Sequence, residues 1–194
     1  LDRLDGLLAR ASDRLARLEG GLSEAGPRAA APRAAAAQEQ AELSLLMEDT
    51  GSARAHLDRA IVAWDLSGRR PGRFGAEGLA VRIALAEGTL VMPAVLDNPI
   101  DFAVERSMRL LEAELRVARA RARAQLGRPG ASEDFDAAVA TAQTAEARFL
   151  EGRARLWRRV AGCALSPDLS RCRLLLAPDR VYSRHPVLRT PSRN

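Results

Sequence analysis

Along the first 22 residues the apolar positions are Leu1, Leu4, Leu8, Ala11, Leu15, Leu18 and Leu22, in steps of three and four. That is a two-per-heptad seam held for three heptads, with Arg and Asp between. It predicts an amphipathic helix whose leucines either pack on the chain's own bundle or join a second copy. Homo-oligomerisation through residues 1–22 is therefore one expectation, carried by Leu1, Leu4, Leu8, Leu15, Leu18 and Leu22. GPRAAAPR (Gly26 to Arg33) breaks the seam, and a second helix begins near Pro32 and ends at Thr50-Gly51. A third, Ala53 to Trp64, carries Ala53, Leu57, Ala60, Ile61 and Trp64 on one face.

The glycines and proline of Ser67 to Gly75 read as a loop, followed by a fourth helix over about Ala76 to Glu87 and an irregular stretch to Asp97. Asn98-Pro99-Ile100-Asp101 has the order of a helix start: a capping amide, proline at the first turn, an acid near the positive dipole end. From there Ile100, Val104, Met108, Leu111, Leu115, Ala118, Ala122 and Leu126 form one stripe, predicting a helix of about 28 residues, roughly 42 Å long. Gly127 to Gly130 stops it. Ser132 caps a second long helix, with Phe135, Val139, Ala142, Phe149, Leu156 and Val160 inward and an end near Ala164. The short connection makes the two antiparallel neighbours. Ser166-Pro167-Asp168 opens a short last helix to Leu176, and the chain after Ala177 reads as an extended or disordered tail.

The fold class expected is all-α: antiparallel helical hairpins packed as a bundle or a short solenoid, with two long C-terminal helices. Its divisions are a heptad-patterned helix (1–27), a hairpin body (28–165), and a short helix with a basic tail (166–194). Composition agrees. Hydrophobic residues are 47% and aromatics only 4%, with alanine and leucine dominant, which favours closely packed helices over a sandwich or barrel.

After each of two glycine turns the same pattern appears. Ala53, Leu57 and Ala60 follow Gly51; Ala131, Phe135 and Ala138 follow Gly130. Small residues let two helices approach and the large one fills the space between. The lead-in helices match loosely, with Ala37 and Ala41 in one and Ala118 and Ala122 in the other. This pattern resembles the second helix of a tetratricopeptide repeat. The resemblance covers about 60 residues in two patches. It implies hairpin repeats that bind proteins.

Chemistry narrows the functional classes. His56 has no carboxylate or cysteine at a telling spacing, and His185 is in the tail. There is no H-E-x-x-H, G-x-S-x-G or Walker-type loop, and no Glu-x-x-His pair for a di-iron site. The expectation is no catalysis, no metal and no cofactor. Cys163 and Cys172 are too few for a disulfide scaffold and read as reduced, in a cytoplasmic setting. No segment is apolar enough to be a transmembrane helix. Starting at Leu1 rather than Met, the chain reads as a fragment or a processed product.

Every basic residue is arginine. From Arg153 onward ten arginines face only Asp168 and Asp179, a net +8, which leaves −3 of the total +5 for the rest. The asymmetry points to an anionic partner, with Arg153, Arg155, Arg158, Arg159, Arg171, Arg173 and Arg184 as candidate anion-binding residues. Another arginine run, RARARAQLGR (Arg119 to Arg128), loses its alternation on a helix. Residues two apart point about 200° apart, so Arg116, Arg119 and Arg123 share a face and Arg121 stands away. Two functions of different class are expected. The first is a non-catalytic helical module, an adaptor or regulator that binds a protein. The second is a nucleic-acid-associated protein using its arginine-rich C-terminal region.

Overall fold

The computed structural model describes residues 2–23 and 26–164. The expected last helix from Ser166 and the tail beyond it lie outside the described residues. The described chain is all-helical: α1 (Asp2–Ser23), α2 (Ala30–Leu46), α3 (Thr50–Ser67), α4 (Arg70–Ala86), α5 (Asp97–Glu105), α6 (Arg109–Gln125), α7 (Ala131–Thr144) and α8 (Arg148–Ala164). One 3-10 turn, Gly26–Ala29, leads into α2 and another, Pro93–Leu96, leads into α5. Among these residues no helix is long and apolar enough to cross a membrane.

Each of the two long C-terminal helices expected from the stripe of apolar residues is in fact two helices. The first breaks between α5 and α6 at Ser107, the second between α7 and α8 at Glu146, both with φ +54°. At each break the chain closes with the same pair of backbone bonds. Ser107 N–H donates to Val104 and Met108 N–H to Ala103; Glu146 N–H donates to Gln143 and Ala147 N–H to Ala142. This is a Schellman ending, which normally prefers glycine because a side chain in the left-handed region costs about 1–2 kcal/mol. Serine and glutamate there leave no mark in the sequence. The breaks turn Val104 and Phe149 out to solvent, 46% and 67% exposed, although the stripe had them inward.

Six left-handed positions, each just after a helix, come at regular intervals: Glu48, Gly68, Gly88, Ser107, Gly127 and Glu146, every nineteen or twenty residues, with Gly26 and Gly130 outside the series. Two helices therefore make a unit of 39 residues, and the core is in register with it. Leu57, Leu96 and Phe135 are 39 apart and all buried; so are Ala37, Ala76, Leu115 and Ala154. In the middle unit the counterpart of α3 and α7 is the 3-10 turn Pro93–Leu96 together with α5, where the sequence showed an irregular stretch up to Asp97. There Leu96 of the 3-10 turn fills the position of Leu57 and Phe135, and packs with Val81, Ile100 and Leu115.

The helices alternate between two layers. α2, α4, α6 and α8 touch in series as one layer; α3, α5 and α7 each pack against the helix that follows. α1 precedes α2 and packs on it. The predicted loop Ser67 to Gly75 is a second correction: α4 starts at Arg70, with Pro71 in its first turn, where the missing N–H costs nothing. Its glycines serve packing rather than flexibility. A Cβ on Gly72 would lie 2.5 Å from the Trp64 ring, and one on Gly78 would lie 2.8 Å from Leu115.

Candidate functional site

The face formed by α2, α4, α6 and α8 carries the clearest concentration of chemistry. Near its start is a recess of about 290 Å³. Trp64, Met108 and Leu111 supply its apolar walls, Gly72 and Gly75 let the helices approach around it, and Glu39 and Glu114 stand at its rim. Trp64 is fixed by its indole N–H, which donates to Gln38 Oε1 at 2.9 Å. The volume falls at the bottom of the range for small-molecule sites and suits one large side chain.

Next to the recess, charged residues cross the layer from helix to helix. Arg82 of α4 pairs with Glu42 of α2 at 3.0 Å, and Arg153 of α8 pairs with Glu114 of α6 at 3.3 Å. The Arg121 guanidinium of α6 lies over the Trp157 ring of α8, 3.7 Å from its centre. Burial pushes Arg121 down to about 10, and repulsion from Arg82 and Arg153 adds to the shift. Burial, with repulsion from Arg82, also lowers Arg153, and Glu114 opposes it. The carboxyl of Glu114 is raised, by burial first, with Arg153 opposing. Glu39 is raised by burial and then by the charge of Glu42. Arg82, Arg121 and Arg153 thus share the row with Glu42 and Glu114, and Glu39 stands beside Glu42.

The opposite face of α6 is built differently. Asp134, in the first turn of α7, is 3% exposed. It accepts from Arg119 Nε and Nη2 at 2.9 and 2.7 Å and from Arg123 Nη1 at 2.8 Å, with Arg116 3.8 Å away. Arg119 also reaches Asp97 at 2.6 Å, tying α5 to the same knot. The shared face of Arg116, Arg119 and Arg123 was legible in the sequence. Asp134 was not: its place in a first helical turn had accounted for it.

The arginine-rich end does not form one patch within the described residues. Arg153 faces α6, Arg155 pairs with Glu151 at 2.6 Å, Arg158 pairs with Asp136 at 2.5 Å, and Arg159 is exposed. Arg171, Arg173 and Arg184 lie outside the described residues. In α1, Leu8, Leu15 and Leu22 are half-buried and Leu18 is 53% exposed; Leu1 and the side chain of Leu4 lie outside the described residues. His56 contacts Arg59, which also donates to the buried Gln40. Among the described residues no group of histidine, cysteine and acidic side chains could hold a metal ion.

Compared with protein-family models, with curated proteins and with solved structures, the chain matches none.

Proposed function

We propose that the chain is a non-catalytic interaction module, an adaptor or regulator, that binds a segment of a partner protein across the face of α2, α4, α6 and α8. One observation carries this reading: the 39-residue units leave one layer of helices as a continuous face, with a side-chain-sized recess and a row of charges along it. The resemblance of the two alanine–large–alanine motifs to tetratricopeptide repeats supports it, although the interval of 39 residues is longer than that family's 34. The mostly paired arginines of α8 lend less support to the nucleic-acid reading, because a phosphate would have to displace Glu114, Glu151 or Asp136.

The test is a selection of random peptides on the full chain, followed by affinity measurement. Met108→Arg fills and charges the recess and should abolish binding, with circular dichroism checking that the variant keeps its helical fold even though Met108 also packs on the core. Replacing Arg171, Arg173 and Arg184 by glutamine should leave binding as it was. The reverse outcome would overturn the reading in favour of the C-terminal region.

A further inference from the structure

We infer that Arg121, stacked on Trp157 between α6 and α8, is the docking point for a carboxylate of an acidic protein segment. This rests on the interaction-module reading and names the chemistry of its partner. Four arginines of α6 are half-buried. Arg116, Arg119 and Arg123 meet carboxylates; Arg121 alone of the four meets none among the described residues. Nearby, Arg153 Nε is buried without an acceptor. Both guanidiniums therefore have donors to spare.

Geometry selects the ligand. Stacking on an indole holds the guanidinium flat and leaves its N–H groups at the edge, where a carboxylate is gripped by two parallel bonds. A carboxylate brings one negative charge to a guanidinium that meets none among the described residues. A phosphate would bring up to two, close to Glu42 and Glu114, and is the poorer match. Glu114 joins the parts, since it both rims the recess and pairs with Arg153. A bound segment would thus place an apolar side chain in the recess and an acidic one on Arg121.

The probe is the set of peptides selected on the full chain. Those peptides should carry Asp or Glu at a fixed distance from an apolar residue. Changing that acid to its amide should weaken binding to the unaltered protein at least about tenfold. Arg121→Gln should lose the same factor for the acidic peptide and nothing for the amide peptide, a coupling that general unfolding cannot imitate. Selected peptides that bind equally well as acid or amide would overturn the inference and leave the module reading standing. Failure to select any peptide would overturn both. Inorganic phosphate displacing the peptides at millimolar concentration would make the site a phosphate site instead. A dimer of the free protein that dissociates in Arg121→Gln would show that a second copy supplies the carboxylate, and would equally overturn it.

Discussion

The two faces of α6 use the same residue type for opposite ends. On one face Arg116, Arg119 and Arg123 converge on Asp134, and the buried carboxylate is satisfied by several charge-assisted bonds. On the other, Arg121 rests on an aromatic ring, and burial first, then repulsion from two further arginines, depresses its affinity for a proton. The first arrangement ties α5, α6 and α7 together. The second holds a cation in a half-buried place that has no carboxylate of the described chain against it. Removing one partner of a buried charge group strands the others at a large cost, while removing a charge that nothing balances relieves repulsion. The two faces should therefore respond to mutation in opposite ways.

The largest effect is expected at Asp134. Asp134→Ala strands the arginines of α6 and should lower stability by about 3–5 kcal/mol, read from urea unfolding followed by circular dichroism. Next comes the direct contrast. Arg119→Ala removes bonds to both Asp134 and Asp97 and should cost about 2 kcal/mol. Arg121→Ala, two residues along the same helix, loses a cation–π contact but also a disfavoured charge, and should change stability by less than about 1 kcal/mol. If Arg121→Ala proves the costlier of the two, the distinction between a face that ties helices together and one that carries a spare cation is broken.

The smallest effect is a pH dependence. The carboxyl of Glu114 is held above the ordinary 4.5 in the folded protein. The folded state thus keeps this proton to a higher pH than the unfolded state does, and the group's contribution falls as pH rises through the folded value. Moving from neutral pH down toward 4.5 should recover stability from this group, and Glu114→Gln should flatten that part of the profile. Urea midpoints of both proteins across the range measure the difference.

Much of the helical content was legible because apolar spacing reports it directly. α1, α2 and α3 lie close to where the pattern put them, and Gly127 ends α6 as a glycine after a helix should. Glycine misled in α4, where Gly72 and Gly75 looked like a loop but let Trp64 and Gln38 come close. The 39-residue unit was half visible. Its outer copies showed as the alanine–large–alanine motif, while the middle copy has Met92, Leu96 and Pro99 at the corresponding positions, so the motif is lost although Leu96 and Pro99 keep the buried places; Met92 is exposed. The placement of Arg121 away from the other α6 arginines followed from helical geometry alone. The recess could not be read, because Trp64, Leu111 and Glu39 come from three helices that only packing brings together.

By itself, then, the order of residues determined that the described chain is helical, which stripes face inward, and how the α6 arginines divide between faces. These depend on neighbours three or four positions apart, and 3.6 residues per turn converts such spacing into geometry. Tertiary structure decided where the long stripes break and which charges are balanced. Ser107 and Glu146 take the left-handed conformation although neither is a glycine, because packing of the next helix outweighs the local preference. Arg119 meets Asp134 from 15 positions away, and Arg153 meets Glu114 from 39. Electrostatic pairing depends on distance in space, and that distance exists only once the helices have stacked.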